Sequence, residues 1–157
     1  MIVEVTQDNI LAAAKIHSES WKESHRAFCS EEFVELHTVE RQQEYLQKEM
    51  QQGKKLYMLI EDAPVGIISI KERLIENLYV LPDCQRRGYG SKLLKYAIEQ
   101  CQGEPTLWIL SNNTRAESFY CKHGFVRSGQ EKVLSPELSE IEIYLCHHSK
   151  EAERSYV

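Results

Sequence analysis

The chain has no long apolar run. Its longest, such as Leu56 to Ile60, is far too short to cross a bilayer, so no membrane partner is expected. No basic stretch leads into an apolar one at the start, where Ile2, Val3, Glu4 and Val5 alternate, so no secretory leader is expected. There is no CxxC pair. Five cysteines, Cys29, Cys84, Cys101, Cys121 and Cys146, are odd in number, which argues against a disulfide framework and for reduced thiols in the cytoplasm. Cys121, His123, Cys146, His147 and His148 match no zinc spacing, so no metal is expected. A basic surplus is missing too: the net charge of −5 disfavours general nucleic-acid binding. Nor is there a repeat, linker or low-complexity segment, and 157 residues fit one domain over 1–157.

What is present reads as alternating elements. Ile2 to Val5 is a first strand. Thr6 or Asp8 is expected to cap a helix whose Ile10, Ala14, His17 and Trp21 share one face. Ser30, followed by Glu31 and Glu32, signals a second helix start, and Thr38 a third helix that stops at Gly53. Lys55 to Glu61 and Val65 to Lys71 make a hairpin through Asp62-Ala63-Pro64, and a third strand covers Leu74 to Val80. After a glycine-bearing loop a helix runs to about Gln102, and a strand covers Thr106 to Leu110. A helix from about Thr114 to His123 ends at Gly124. Phe125 to Leu134 and Glu140 to Cys146 form the last strand pair around Ser135-Pro136, and the polar tail from 147 is expected to fray. This order gives a mixed α/β domain.

Charge is unevenly spread. Residues 19 to 49 hold four Lys or Arg against eight glutamates, whereas residues 85 to 122 hold six Lys or Arg against three glutamates. The sharpest local feature lies at the start of the second of these segments: Gln85-Arg86-Arg87-Gly88-Tyr89-Gly90-Ser91, after a strand and opening a helix. Glycines let the backbone turn tightly and approach a ligand. The first-turn N–H groups of the helix then face an anion, and two arginines add charge. A Walker A loop would need Gly-Lys-Ser/Thr, and Gly90-Ser91-Lys92 does not supply it. The dinucleotide fingerprint would need a small residue where Leu93 stands, in a parallel βαβ unit.

A second feature is Asn113-Thr114-Arg115-Ala116-Glu117-Ser118-Phe119-Tyr120-Cys121-Lys122-His123-Gly124-Phe125. Together with Gln85 to Gly90 it resembles the GNAT superfamily of acetyl-CoA-dependent N-acetyltransferases. The first segment is similar to that family's Gln/Arg-x-x-Gly-x-Gly/Ala motif and the second to its Asn-x-x-Ala-x-x-Phe-Tyr-x-x-x-Gly-Phe motif. Asn77-Leu78-Tyr79-Val80-Leu81-Pro82 resembles the strand leading into the loop. The resemblance implies a central, mostly antiparallel sheet of about seven strands, split into a V and flanked by about four helices. It implies that the backbone of Leu78, Tyr79 and Val80 pairs with pantetheine, and that the stretch Gln85, Arg86, Arg87, Gly88, Tyr89, Gly90 and Ser91 holds the pyrophosphate of acetyl-CoA. Asn113 would contact the cofactor arm and Tyr120 would face the thioester sulfur. Asn113 and Tyr120 are two helical turns apart and so on one face, with Phe119 rotated by about 100° toward the core.

The chemistry such a site must run is transfer to an amine. A lysine-like amine is unprotonated only about once in 2,500 molecules at pH 7, so a base is needed, directly or through water. Glu76 is the candidate, because alternation along the strand places it beside Leu78 and Val80. An ion-paired Glu76 without catalytic work is the competing reading. The family's glutamate commonly stands where this chain has Leu74, and in some relatives where it has Leu110. A backbone N–H at a bulge near Val80 would stabilise the oxyanion. Tyr120, with a reference pKa near 10 against about 8.5 for a thiol, would donate a hydrogen bond to the departing thiolate as readily as a proton. Cys121, beside it on the helix, looks outward, which disfavours an acetyl-cysteine route.

In the family the acceptor meets the first helices and the loop between the last strands. Here that implies Trp21, His25, Phe28 and Phe33, with Glu76 and the Ser135-Pro136 turn. The glutamate surplus of residues 19 to 49 either attracts a cationic amine or is a solvated helix face. A non-catalytic acetyl-CoA sensor with the same fold is the second reading of the whole chain. The edge of the final strand pair permits homodimerisation.

Overall fold

The structure is a computed structural model and describes residues 1–27 and 29–146. Phe28 and the expected frayed tail from 147 lie outside the described residues. Seven strands and five α-helices are present among them, most strand pairs antiparallel, which is the mixed α/β class expected. The chain divides into two compact units, one of Met1–Lys71 with Ile75–Gln100 and one of Glu72–Leu74 with the chain from Cys101.

In the first unit β1 (Ile2–Glu4), β2 (Lys55–Ile60), β3 (Pro64–Lys71) and β4 (Leu74–Val80) lie side by side. Apolar runs in β2 and β3 are buried at nearly every position, the pattern of strands covered on both faces. On one face Ile67 of β3 joins Leu56 and Met58 of β2 in a core with Ile10, Ala13 and Ala14 of α1 (Ile10–His25) and Leu46 of α3 (Val39–Gln51). The other face belongs to α4 (Tyr89–Gln100), whose Leu93 packs over Gly66. A Cβ on Gly66 would stand 2.8 Å from Leu93 Cδ1, 3.1 Å from the Tyr79 carbonyl oxygen and 3.3 Å from Val80 Cγ2. Glycine here is a packing requirement.

Helix starts follow the expected residues with one exception. Ser30 Oγ accepts from the Phe33 N–H and opens α2 (Glu31–Glu35), and Thr38 Oγ1 accepts from the Arg41 N–H to open α3. The first helix is not capped by Thr6 or Asp8. It starts one residue after Asp8, at Asn9, whose side chain turns back to the incoming strand. Asn9 Oδ1 accepts from the Thr6 N–H at 2.8 Å and Nδ2 donates to the Glu4 carbonyl at 3.2 Å, while Thr6 Oγ1 takes the Asp8 N–H. Thr6 is thus engaged upstream of the helix, and Asp8 stands one residue short of the cap position.

The second unit holds β5 (Thr106–Leu110), α5 (Thr114–Lys122), β6 (Phe125–Ser135) and β7 (Leu138–Leu145). β7 lies between β5 and β6, antiparallel to each, and Leu74 pairs in parallel with Thr106. Ile141, Ile143 and Leu145 are buried while Glu140, Glu142 and Tyr144 are not, the alternation of a sheet with one covered face. The last turn is Pro136-Glu137, so β7 begins two residues before the expected Glu140. Gly124 caps α5 at φ 93, and a Cβ there would stand 2.9 Å from Leu145 Cδ1. Arg127 of β6 grips Glu117 of α5 with two hydrogen bonds of 2.6 and 2.8 Å, a bidentate pair that fixes the helix on its strand. Among the described residues no helix is long and apolar enough to cross a membrane.

One buried polar group stands out. His17 of α1 is fully enclosed, its ring 5.4 Å from that of Tyr45 and 4.9 Å from that of Tyr79, and its Nδ1 has no hydrogen-bond partner. Burial lowers its pKa to about 4; His37 and His25 add to the shift and Glu49 opposes it.

Two stability predictions follow from this packing. Gly66→Val should cost about 1–3 kcal/mol in chemical denaturation, as overpacking does; an unchanged midpoint would show that α4 has slack. His17 stays neutral in the folded chain down to about pH 4, whereas the unfolded chain takes the proton near its ordinary value. The folded state thus binds fewer protons in that window. Stability should fall as pH drops from about 6.5 to about 4, by about 1.4 kcal/mol per unit at most. His17→Phe should flatten this slope in denaturation at pH 7, 5.5 and 4. An identical slope would assign the acid sensitivity to other groups.

Candidate active site

The middle of β4 is not a regular strand. Asn77 adopts φ 54, a left-handed conformation that asparagine tolerates better than most residues. Its Nδ2 donates to Ser69 Oγ at 3.0 Å, and Ser69 Oγ donates to the Glu76 carbonyl at 3.1 Å, so β3 holds the break from the side. The Tyr45 hydroxyl reaches Asn77 Oδ1 at 3.5 Å, the outer limit of a hydrogen bond. Burial, and then Glu49, push the Tyr45 phenol well above its ordinary range.

This break overturns the expectation that Glu76, Leu78 and Val80 share a face. The Glu76 carboxylate meets Lys54, which follows α3, and the Tyr79 ring meets His17 of α1. Residues three apart in an undisturbed strand would face opposite ways. Val80 instead reaches toward Gly66 and Leu93, on the α4 side. The irregularity expected near Val80 therefore sits at Asn77. Tyr79 is half-buried, and desolvation pushes its phenol up to about 12.

Glu76 is ion-paired. Lys54 Nζ lies 2.8 Å from its Oε1 and is also paired with Glu49. Burial works against the Lys54 charge, but the hydrogen bonds it donates to Glu49 and Glu76, with their negative charge, outweigh it and raise its pKa. Glu49, Lys54 and Tyr45 were not singled out from the sequence. Tyr45 and Glu49 stand four residues apart on one helix and could have been paired by spacing. Nothing local marked Lys54.

Beyond β4, a short 3-10 turn (Pro82–Cys84) leads into the expected anion loop. Gln85 Nε2 donates to the Val80 carbonyl at 3.2 Å and ties the loop to the strand end. Arg86 (φ 66) and Gly88 (φ 82) are both left-handed. Such residues in a short loop turn successive backbone N–H groups toward one point, the arrangement that binds anions. The Lys92 N–H bonds to the Gly88 carbonyl, so Gly88 stands at the N-cap position of α4, and the amides of Tyr89 and Gly90 fall in a first turn that offers no intrahelical acceptor. A Cβ on Gly88 would meet nothing within 4 Å; its φ, not crowding, calls for glycine.

In the second unit Asn113 caps α5, its Oδ1 accepting the Ala116 N–H at 3.0 Å. Tyr120 is the buried member of its helix, against Phe119 and Phe125 at ring distances of 5.1 and 5.7 Å. The expectation that Phe119 points to the core is not met: Phe119 is half-exposed and packs on His123. The rotation of about 100° between neighbours was assigned to the wrong ring: the helix turns Tyr120 toward Phe125 of β6. Cys121 is exposed, as expected.

Of the residues expected to meet the acceptor, Trp21, His25 and Phe33 come together. The Trp21 ring is flanked by His25 at 3.9 Å and His37 at 3.5 Å, both stacked, with Phe33 tilted at 6.0 Å. His37 was missed, although it follows Phe33 by one helical turn and its Nδ1 lies 3.1 Å from the Phe33 carbonyl. Trp21, one helical turn beyond the buried His17, is only half-buried. Phe28 lies outside the described residues.

Residues 13–135 match the model of the acetyltransferase (GNAT) domain. A curated relative, the peptidyl-lysine N-acetyltransferase YjaB of Salmonella typhimurium, is 32% identical over 73 residues, covering 46% of this chain and 50% of that protein. The match thus spans about half the length of that relative. Among solved structures, the PaiA N-acetyltransferase of Thermoplasma acidophilum in complex with coenzyme A aligns with a TM-score of 0.68 at 20% identity. The alignment covers 90% of this chain and 96% of that one. The solution structure of apo YjaB from Escherichia coli aligns with a TM-score of 0.70 at 20% identity, covering 92% and 96%. These two structures support the fold, and the domain match covers most of the chain, including both motifs. The chain belongs to the GNAT family of acetyltransferases.

Proposed function

We propose that this chain binds acetyl-CoA and transfers its acetyl group to a primary amine, with a lysine-like ammonium as the acceptor class. The observation that carries the reading is the loop of Arg86 and Gly88 at the head of α4, where two left-handed residues and a helix start coincide with two arginines. This donor set fits a pyrophosphate, which is doubly anionic and accepts from backbone N–H groups and guanidinium alike. Acetyl-CoA supplies an activated thioester. The chain's residues do the rest: the Arg86–Gly90 backbone, with Gln85 and Ser91 at its ends, grips the pyrophosphate, and Leu78, Tyr79 and Val80 offer backbone groups to the pantetheine arm. Asn113 supports the cofactor arm besides capping its helix.

Glu76 takes the acceptor's proton, and Tyr120 donates a hydrogen bond to the departing thiolate. Trp21, His25 and Phe33 flank the incoming amine. Resemblance over half its length to a peptidyl-lysine acetyltransferase supports a lysine side chain as the acceptor. The odd number of cysteines and the lack of a CxxC pair fit a cytoplasmic setting, and the outer edge of β6, with Val133 and Leu134 exposed, is the surface on which a homodimer would pair.

Calorimetry should show acetyl-CoA binding, with ATP and NAD inert, and Gly88→Val should weaken it. Tyr120→Phe should retain binding while turnover of a lysine peptide falls about tenfold to a hundredfold, the worth of a hydrogen bond to a charged group. A folded protein that ignores acetyl-CoA would defeat the reading. Binding without turnover across a broad amine panel would leave a cofactor sensor.

A further inference from the structure

We infer that Lys54 is an internal competitor for the acceptor's ammonium, holding Glu76 charged and aimed until the acceptor takes its place, while Glu49 keeps Lys54 neutralised. This rests on the amine-transfer reading given above and names how the acceptor is recognised. Three groups on one side of β4 carry the argument. Lys54 Nζ is shared between Glu49 and Glu76, at 2.8 Å from the latter. Two carboxylates against one ammonium leave one negative charge unbalanced within the cluster.

The cluster has an inner and an outer end. The Lys54 and Glu49 side chains are 13% and 14% exposed, while that of Glu76 is 34% exposed. A solute therefore reaches Glu76 first. Partly buried charge is costly unless paired, so a lone ammonium arriving at Glu76 is favoured over a neutral group of the same shape. As it binds, Lys54 can retreat wholly to Glu49 without being left unpaired. Tyr45 stands beside that inner position, close enough for Glu49 to raise its phenol pKa, with its hydroxyl 3.5 Å from Asn77 Oδ1. Behind it sits His17 with an unpartnered Nδ1, a neutral neighbour that does not compete for the cation.

Lys54 is thus a positioning residue, and Glu49 sets how readily it lets go. Without Glu49, Lys54 would be bound to Glu76 alone and would yield it reluctantly. Without Lys54, Glu76 would be open to the acceptor at once. A purely structural ion cluster predicts neither effect; it predicts loss of stability in both variants and no change in amine affinity.

The test is a titration of the full chain with Nα-acetyl-lysine N-methylamide, following the Lys54 side-chain nitrogen by NMR, with and without coenzyme A. The Lys54 resonance should shift saturably. Lys54→Met should bind the amide several-fold more tightly, Glu49→Gln several-fold more weakly, and Lys54→Arg close to wild type. Nα,Nε-diacetyl-lysine N-methylamide, which lacks the charge, should leave Lys54 unmoved. An unshifted Lys54 in the wild-type chain overturns the inference even if a variant fails to fold, and so does weaker or equal binding by a folded Lys54→Met. Coenzyme A binding, measured separately by calorimetry, tells the two ideas apart. If coenzyme A binds and Lys54 stays still, only this inference falls; if coenzyme A does not bind, the acetyl-transfer reading falls while the Lys54 shift still decides the inference.

Discussion

The first unit depends on one backbone irregularity, the left-handed Asn77 in the middle of β4. A non-glycine residue in that region is disfavoured and persists where its surroundings hold it. Ser69 supplies the hold, bonding both the Asn77 side chain and the Glu76 carbonyl. The consequence is rotational. Residues before and after the break no longer alternate in phase, so Glu76 and Tyr79 both address the α1–α3 side while Val80 addresses α4. A strand in perfect alternation would have sent one of that pair to the opposite face, and the carboxylate would not share surroundings with His17, Tyr45 and Lys54.

The same break explains why Gly66 matters. Where β4 passes β3, the Tyr79 carbonyl and Val80 side chain crowd the position that a Gly66 Cβ would fill, and Leu93 closes it from α4. The charged cluster on the other face contributes differently. Partly buried ion pairs add little net stability, because desolvation offsets most of the attraction. Their worth lies in fixing where a charge stands and in punishing the loss of any one partner.

Periodicity and capping made most elements legible, because they depend on neighbours within a few residues. Ser30, Thr38 and Gly124 were read from type and position alone and act as read. The motif residues around Gly88 and Tyr120 were legible because glycine and tyrosine at those spacings are rarely accidental together. What failed depended on long-range partners. Nothing near Lys54 in sequence announces Glu76, twenty-two residues on, and nothing near His17 announces Tyr79. Alternation along β4 misled because a bulge leaves no strong sequence mark; asparagine tolerates the left-handed region but seldom requires it. Asn9 rather than Thr6 or Asp8 stands at the helix boundary, with the Thr6 hydroxyl and N–H engaged in the turn from β1.

The glutamate surplus of residues 19 to 49 takes on a different meaning once partners are known. Glu23 pairs with Arg26, Glu35 with Lys22 and Glu49 with Lys54, so part of the negative charge is answered locally. The remainder sits on solvated faces, where attraction fades within about 8–10 Å at physiological salt. A diffuse field of that kind gathers cations without choosing among them. Choice requires a carboxylate that is reachable, held in place and short of a counter-charge. Glu76 meets those three conditions: it is open to solvent, its backbone is pinned by Ser69, and it shares one ammonium with Glu49. On the reading proposed above, selectivity for a primary amine would come from contact at one residue rather than from the charge of a whole segment.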